Sequence, residues 1–277
     1  MKILVTGAGG FIGSGLVEKL VEYNDFQVLA VYSKKVINKN ISKSKNYNVD
    51  IFDVNNPFEY FERPDIVVHC AWKDGFNHNS DEHLLNLNNH YRFLMNFINK
   101  SKKIIILGSM HEVGYYEGCI TKDVSCNPLS LYGISKNALR QAIFLNVNKT
   151  ETIINWLRGF YIVKDEDAGS SIFSKLIKAE KDGKSSFPFN SGKNKYDFID
   201  YYDFIEQIIT VIKKSDKSDV INCCSGHSET LASRVERFIK DNNLKIHLDY
   251  GAFPDRPYDS PEIYGDNSEI KRLLKNE

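Results

Sequence analysis

Short apolar runs alternate with segments of helical periodicity through the first two thirds of the chain. The runs are rich in β-branched residues, as buried parallel strands are, and occupy residues 2–5, 27–32, 66–69, 103–107 and 152–157. Residues 12–23, 81–99 and 131–146 carry apolar side chains at helical spacing. This alternation predicts an α/β fold built on a doubly wound parallel sheet of the Rossmann type, with helices on both faces.

The pattern changes after residue 158. Helical patterns at 170–181, 202–213 and 230–242 alternate with short apolar runs at 196–199 and 220–223, and a proline-containing C-terminal stretch follows. We expect residues 1–158 to form the dinucleotide-binding domain, with segments around 196–222 returning to it. Residues 159–277 are expected to form mainly a smaller α/β substrate-binding lobe over the carboxyl edge of the sheet, where open α/β sheets bind ligands.

The composition is that of a globular protein with one large core. The chain has 277 residues, 42% of them hydrophobic, and 36 basic side chains balance 36 acidic ones. Because the charges cancel, no global field favours nucleic acid or a membrane as a partner. The first residues lack the long apolar stretch of a signal peptide or membrane span, so a cytoplasmic protein is expected. The oligomeric state stays open, with a homodimer as one alternative.

The cysteines give no sign of a metal or disulfide framework. There are five of them, an odd number, and none is spaced as in C-x-x-C metal sites. We expect reduced thiols that serve as packing residues, and no metal site is predicted.

A glycine-rich turn joins the first predicted strand to the first predicted helix. Gly7, Gly10 and Gly13 recur at three-residue intervals, and Phe11 and Ile12 begin the helix. In this position one glycine turns the chain, one lets the backbone approach a pyrophosphate, and one packs the helix on the sheet. The free N–H groups at the helix N-terminus then hold the anion, so the turn predicts a dinucleotide site.

The end of the second predicted strand bears on which dinucleotide binds. NAD-preferring sites usually carry a carboxylate there, which bonds the ribose hydroxyls and repels a 2′-phosphate. Here Ser33, Lys34 and Lys35 follow the strand, and a hydroxyl with two ammonium groups would attract the phosphate. We therefore expect NADP(H) to be preferred. The alternative is NAD(H), if the lysines only begin a solvated loop.

Further cofactor contacts are expected at the carboxyl ends of later strands. They are Asp50 and Ile51, after a short third strand, and Cys70, Ala71 and Trp72, after the strand that ends at His69. The small side chain of Ala71 lets the backbone approach the cofactor. His69 is interpreted as a packed strand residue in preference to a catalyst.

Tyr132 and Lys136 are the predicted centre of proton transfer. They lie one helical turn apart on the same face, and a nearby ammonium favours ionisation of a phenol. Tyr132 can then exchange a proton with a substrate oxygen, while Lys136 also holds the nicotinamide ribose. Ser109 is the first hydroxyl after the fifth apolar run, and we expect it to hydrogen-bond the reacting oxygen. A Y-x-x-x-K pair alone is a common structural pattern, and its distance from the glycine turn makes it significant.

These motifs together resemble the extended short-chain dehydrogenases of the nucleotide-sugar epimerase/dehydratase family, over nearly the whole chain. Matching segments include residues 6–13, 65–71, 132–136, 196–203, 222–226 and 256–257. The resemblance implies a serine, tyrosine and lysine trio acting on a sugar keto or hydroxyl group, and a C-terminal lobe that binds a nucleoside diphosphate. It also implies that Asn86 contacts the cofactor and that Arg256 contacts the diphosphate.

Departures from the family pattern affect the substrate contacts. Lys195 precedes Tyr196 where family members usually have an arginine, and Phe160 begins a segment that replaces their N-x-Y-G. Family dehydratases carry an Asp-Glu pair after the catalytic hydroxyl, whereas this chain has Met110 and His111. Since a thioether cannot act as an acid, dehydration is disfavoured.

The remaining pattern favours a reductase of nucleoside-diphosphate 4-keto-6-deoxy sugars, with Met110, His111, Phe160 and Arg256 as substrate contacts. The main alternative is an epimerase that retains NAD, and a lesser one is a dinucleotide-binding regulatory protein without turnover. His111 is interpreted as a residue that shapes the sugar pocket, with a base for an added epimerisation step as the alternative. The nucleotide base, the sugar and the stereochemistry at carbon 4 stay open.

Overall fold

The computed structural model describes residues 1–33, 43–164, 171–255 and 259–275. Its first elements are β1 (Lys2–Thr6), α1 (Phe11–Leu20), β2 (Gln27–Tyr32), β3 (Lys45–Asn48), α2 (Pro57–Tyr60), β4 (Ile66–His69), α3 (Glu82–Leu85), α4 (Leu87–Met95), β5 (Lys103–Ser109), β6 (Gly118–Ile120), α5 (Leu131–Phe144) and β7 (Ile153–Gly159). The elements that follow are β8 (Tyr161–Val163), α6 (Ile172–Lys181), β9 (Ser186–Phe189), β10 (Lys195–Tyr196), β11 (Phe198–Asp200), α7 (Tyr201–Lys214), β12 (Asp219–Cys223), β13 (Glu229–Thr230), α8 (Leu231–Asp241), β14 (His247–Tyr250), β15 (Glu262–Gly265) and α9 (Ser268–Lys275).

Seven parallel strands form the central sheet in the order β12-β7-β5-β4-β1-β2-β3. The chain builds outward from β1 to β3 and then crosses to β4 on the other side of β1. Thr6 at the end of β1 therefore lies between Val31 of β2 and His69 of β4. A reversal of this kind opens a crevice at the carboxyl ends of the strands. The predicted doubly wound Rossmann fold is confirmed.

Apolar clusters cover both faces of the sheet, as its near-continuous hydrophobic strands require. On one face Leu16 of α1, Ile208 of α7 and Leu273 of α9 lie in a single buried cluster. On the other face Leu94 of α4 and Leu139 of α5 belong to a second cluster. The core thus lies in two layers, and α7 and β12, from the later part of the sequence, belong to the central fold.

Outside the central sheet, a single residue, Phe160, separates β7 from β8. Strands β13, β10, β15 and β6 form a four-stranded sheet, while β8 pairs with β11 and β9 pairs with β14. Phe173 of α6 and Val235 and Phe238 of α8 share a buried apolar cluster. The division into domains at residue 158 stays a prediction.

Two predicted elements are divided in the structure, and both predictions were wrong in that respect. The helix expected over 81–99 is two helices that meet at Asn86, whose side-chain amide donates to the carbonyl oxygen and the carboxylate of Glu82. The strand expected over 196–199 is interrupted at Asp197. Its buried carboxylate accepts backbone N–H groups of Ser225, Gly226 and Gly265, which fixes the chain between β10 and β11.

Within the described residues, no helix is long and apolar enough to cross a membrane. In the same ranges, no group of three His, Cys, Asp or Glu side chains comes together as a metal site would require. All five cysteines are unpaired, and burial raises the thiol pKa of Cys223 and Cys224.

Candidate active site

The glycine turn between β1 and α1 has the close backbone contacts that a dinucleotide site needs. Gly7 has φ +66°, and a Cβ there would lie 2.7 Å from the backbone nitrogen of Ala71. A Cβ on Gly13 would lie 2.2 Å from the carbonyl oxygen of Gly7. Gly10 caps α1 without a side-chain hydrogen bond, so the first N–H groups of the helix, from Phe11 onward, have no side-chain acceptor at the cap. The turn fits a pyrophosphate.

Other predicted cofactor residues lie along the same edge of the sheet. Ser33 is exposed at the end of β2, and Asp50 and Ile51 follow β3, the neighbouring strand. The Asp50 carboxylate accepts the N–H of Phe52 at 3.0 Å. Lys34, the charged residue of the predicted phosphate site, lies outside the described residues.

Thr6 links the ends of β1 and β4 across the crevice. Its hydroxyl oxygen accepts the N–H of Ala71 at 3.3 Å and lies 2.9 Å from Nδ1 of His69. Nε2 of His69 lies 2.9 Å from Nδ1 of His90, and both rings are buried. Burial lowers the pKa of His69 to about 3 and raises the pKa of the Cys70 thiol to about 12. His69 is thus a packed, neutral strand residue, as interpreted from the sequence.

Ser109, Tyr132 and Lys136 come together at the carboxyl end of β5. The Ser109 hydroxyl lies close enough to the Tyr132 phenol to lower its pKa, and Lys136 Nζ donates to the carbonyl oxygen of Leu107 at 2.7 Å. Ser130 caps α5 by accepting the N–H of Gly133 at 3.1 Å, which places Tyr132 in the first turn of the helix. The sequence prediction that these three side chains share one site agrees with this geometry.

Burial shifts the proton affinities of the two ionisable groups in opposite directions. It raises the pKa of Tyr132 to about 12, against the lowering effect of the Ser109 hydrogen bond. It lowers the pKa of Lys136 to about 7, against the raising effect of the negative charge of Glu112. Near neutral pH the phenol holds its proton firmly, while the ammonium is poised to lose one.

Trp72 covers the Lys136 ammonium. Nζ lies 3.8 Å from the centroid of the indole ring, within the range of a cation–π interaction. The indole N–H donates to Nδ1 of His83 at 3.0 Å, and the ring stacks on His90 with centroids 4.3 Å apart. Trp72, predicted from the sequence as a cofactor contact, is also a neighbour of Lys136.

Three histidine rings lie around Tyr132, and the sequence analysis identified only His111. His78 stacks on the Tyr132 ring at 5.2 Å and 11°, and His83 meets that ring edge-on at 5.3 Å. His111 packs against His78 with centroids 4.3 Å apart. We call Trp72, His78, His83 and His111 the ring wall. The sequence did carry a signal for this group of rings, because five of the seven histidines fall between residues 69 and 111.

Burial disfavours the charged form of two histidines in the ring wall. It lowers the pKa of His111 to about 4, and it also lowers the pKa of His78. A neutral imidazole offers one N–H donor and one ring-nitrogen acceptor. These two rings can therefore hydrogen-bond an uncharged ligand.

A buried group of charges lies behind Ser109, and the sequence analysis missed it. Glu112, Arg140 and Arg158, which we call the charge cluster, bring one carboxylate oxygen to within 3.7 Å of both guanidinium Nε atoms. Glu112 and Arg158 are fully buried. Burial raises the pKa of Glu112, with Arg158 opposing that effect most strongly. No short motif marks these residues, because 28 positions separate Glu112 from Arg140 and 18 separate Arg140 from Arg158.

The predicted substrate contacts are placed unevenly. His111 lies in the ring wall, whereas Met110 and Phe160 are each 6% exposed and share an apolar cluster with Ile263. Arg256 lies outside the described residues. The roles of Met110 and Phe160 stay predictions, and only a small part of either side chain is open to a sugar.

Comparison with known proteins agrees with this arrangement. The model of the NAD dependent epimerase/dehydratase family matches residues 3–224. The chain is 39% identical to the dTDP-6-deoxy-L-talose 4-dehydrogenase (NAD(+)) of Aggregatibacter actinomycetemcomitans over 269 residues, which cover 96% of this chain and 99% of that protein. It is 26% identical to a UDP-glucose 4-epimerase of Lactobacillus helveticus, covering 99% and 91% of the two chains.

The fold is also found among solved structures. The UDP-glucuronic acid 4-epimerase of Bacillus cereus, in complex with UDP-glucuronic acid and NAD, superposes with a TM-score of 0.80 at 21% identity. The match covers 100% of this chain and 94% of that one.

Proposed function

This chain belongs to the NAD dependent epimerase/dehydratase family, and we propose that it reduces carbon 4 of a nucleoside-diphosphate 4-keto-6-deoxy sugar. The single observation that carries the proposal is the meeting of Ser109, Tyr132 and Lys136 beside the glycine turn. The name of the 39% identical relative, a 4-dehydrogenase of a dTDP-6-deoxy sugar, supports the same carbon and substrate class.

Tyr132 is the proton donor of the proposed reaction. Reduction of a ketone needs a group that still holds its proton, and the raised pKa of this buried phenol provides one. Ser109 lies beside the phenol, where its hydroxyl can stabilise negative charge on the same sugar oxygen. Lys136, one turn along α5, supplies positive charge that stabilises the phenolate left by the transfer, and the phenolate then takes a new proton from solvent.

The cofactor is held, in this proposal, by the glycine turn and by Lys136. The pyrophosphate would lie at the N-terminus of α1, after the tight turn at Gly7, and Lys136 would hydrogen-bond the nicotinamide ribose. When bound, the reduced dinucleotide supplies the hydride. The residues of this chain orient the sugar and control the proton. Met110, His111, Phe160 and Arg256 remain the proposed sugar and diphosphate contacts, and His78 joins them because it stacks on Tyr132.

The test is oxidation of NADPH and NADH in the presence of a panel of 4-keto-6-deoxy sugar nucleotides with different bases. We expect stoichiometric cofactor oxidation with at least one member, and NMR of the product gives its configuration at carbon 4. Interconversion of two sugar nucleotides without net cofactor oxidation would instead assign the chain as an epimerase. Tight dinucleotide binding with no conversion of any sugar nucleotide would support the regulatory alternative.

We also propose that the site accepts NADP(H) at least as well as NAD(H). No carboxylate stands at the end of β2, where the exposed Ser33 side chain offers a hydroxyl, so nothing there repels a 2′-phosphate. The relative named with NAD(+) supports the opposite preference, so the point needs direct measurement.

Fluorescence titration with both reduced cofactors tests the preference without a substrate. We expect NADPH to bind as tightly as NADH or more tightly, and Ser33→Asp to weaken NADPH binding about tenfold or more through charge repulsion. Ser33→Ala is the control that removes the hydroxyl without adding charge. Wild-type protein that binds NADH far more tightly than NADPH would overturn this preference.

A cytoplasmic location and assembly as a homodimer also stay predictions. Light scattering coupled to size-exclusion chromatography would give the assembly state directly.

A further inference from the structure

Glu112 fixes the backbone on which Ser109 stands. Its Oε1 accepts the N–H of Ser109 at 2.6 Å and the indole N–H of Trp156 at 2.8 Å. The Ser109 hydroxyl in turn accepts the N–H of His111 at 3.3 Å, which completes a capping box around this turn. The carboxylate is fully buried. Rotation of the Ser109 backbone would therefore break a buried, charge-assisted hydrogen bond.

The second oxygen of Glu112 faces two guanidinium groups. Oε2 lies 3.7 Å from Nε of Arg140 and 3.7 Å from Nε of Arg158, and none of these three atoms has a hydrogen-bond partner among the described residues. Arg158 is anchored to the carbonyl oxygen of Thr121 at 3.2 Å and to Asn222 Oδ1 at 3.4 Å. The carboxylate is held by charge as well as by hydrogen bonds, and the cluster connects the Ser109 turn to β7 and β12.

We propose that Glu112 is a positioning residue that fixes the Ser109 backbone beside Tyr132 and places a negative charge behind the Tyr132–Lys136 pair. The inference rests on the proposed function for the roles of those three residues. It goes beyond that function because Glu112 itself touches neither the reacting oxygen nor the cofactor site.

The negative charge of Glu112 shifts the pKa values of Lys136 and Tyr132 in the same direction. A negative neighbour favours the protonated form, so Glu112 raises the pKa of Lys136 and of Tyr132, although burial has the larger effect on each. Removing the charge lowers both pKa values, and removing an opposing arginine raises them. The other titratable or charged groups around the pair, unchanged in such variants, are His69, Cys70, His78, His83, His90, His111 and Arg158.

The first measurement needs no substrate. Carbon-13 labelled lysine gives an NMR signal for Lys136, assigned by its absence in Lys136→Met, and a pH titration yields its pKa. We expect Glu112→Gln to lower that pKa and Arg140→Met to raise it, each by at least about 0.5 unit. Glu117→Gln, the same change at an exposed site five residues along the chain, should leave it unchanged.

The second measurement is the pH profile of turnover in wild type and variants. In Glu112→Gln, whose amide oxygen can still accept the Ser109 N–H, we expect the lost charge to move the profile to lower pH. Glu112→Leu removes the acceptor, so Ser109 loses its fixed orientation and turnover should fall about tenfold or more. Melting curves check that each variant folds. If Glu112→Gln does not fold, Arg140→Met decides the sign alone.

An unchanged Lys136 pKa in the folded variants would overturn the inference. Failure of wild-type protein to reduce any keto sugar would overturn the proposed function instead, and the NMR result would still stand.

Discussion

Tyr132 lies between two polar regions of opposite character. The ring wall on one side consists of aromatic rings, and its perturbed histidines, His78 and His111, have lowered pKa values. The charge cluster on the other side, behind Ser109, consists of one carboxylate and two guanidinium groups. The rings of the wall lie around Tyr132, whereas Glu112 and Arg158 of the charge cluster are fully buried and cannot meet a ligand.

The two regions contribute differently: the ring wall mainly affects the pKa values of the site, and the charge cluster mainly fixes the position of Ser109. The rings of the wall displace water from Lys136 and Tyr132, and this burial is the main cause of both pKa shifts. The charge cluster adds a smaller electrostatic effect and fixes the Ser109 turn through Glu112. Substitutions in the cluster should therefore affect folding first, and substitutions in the wall should affect turnover or substrate binding while the fold persists.

The largest effect is expected from Arg158→Met. The guanidinium is fully buried, and its loss leaves the Glu112 carboxylate with Arg140 as its only remaining cation in the cluster. Removing one partner of a buried ion pair lowers the free energy of unfolding by about 3–5 kcal/mol. Urea unfolding followed by circular dichroism measures it.

The control is Arg63→Met, which removes an exposed arginine paired with Glu59 one helical turn away. Surface pairs of this kind contribute little, so its unfolding midpoint should stay within experimental error of wild type. Equal midpoints for the Arg158 and Arg63 variants would contradict the structural role of the cluster.

Next in size is Tyr132→Phe, which keeps the ring packed among the histidines and removes the transferred proton. Turnover should fall at least about a hundredfold, with little change in the affinity for the cofactor or in the melting temperature. Stopped-flow assays and cofactor titration give the two quantities. Tyr202→Phe, the same change at an exposed position of α7, should leave turnover unaltered. Near-normal turnover in the Tyr132 variant would remove Tyr132 from the mechanism.

The fold and the meeting of Ser109, Tyr132 and Lys136 could be predicted because local signals determine them. The alternation of strands and helices predicted a doubly wound parallel sheet, and the glycine turn needs only contiguous residues. Tyr132 and Lys136 are one helical turn apart, and Ser109 ends a strand, so each position follows from periodicity and topology.

The neighbours of the trio could not be predicted in the same way. Glu112 meets Arg140 and Arg158 only because the turn after β5, α5 and β7 pack together, and no spacing rule encodes that contact. His78 lies in an irregular loop between β4 and α3, where neither helical nor strand periodicity fixes the direction of a side chain. Asp197 shows the same limit within the fold, since its distant N–H donors interrupt a strand that the pattern predicted as continuous.

The smallest effect is expected from His78→Ala, which tests whether the ring wall contacts the sugar. His78 stacks on Tyr132 and its backbone carbonyl oxygen accepts the Tyr132 N–H at 2.9 Å, so the loop should stay in place when the ring is removed. Loss of one neutral hydrogen bond to the sugar should raise KM about three- to tenfold, with turnover within about threefold of wild type. The exposed His247→Ala serves as the matched control. If turnover falls while KM stays constant, His78 acts on proton transfer through Tyr132 and the wall does not contact the sugar at this ring.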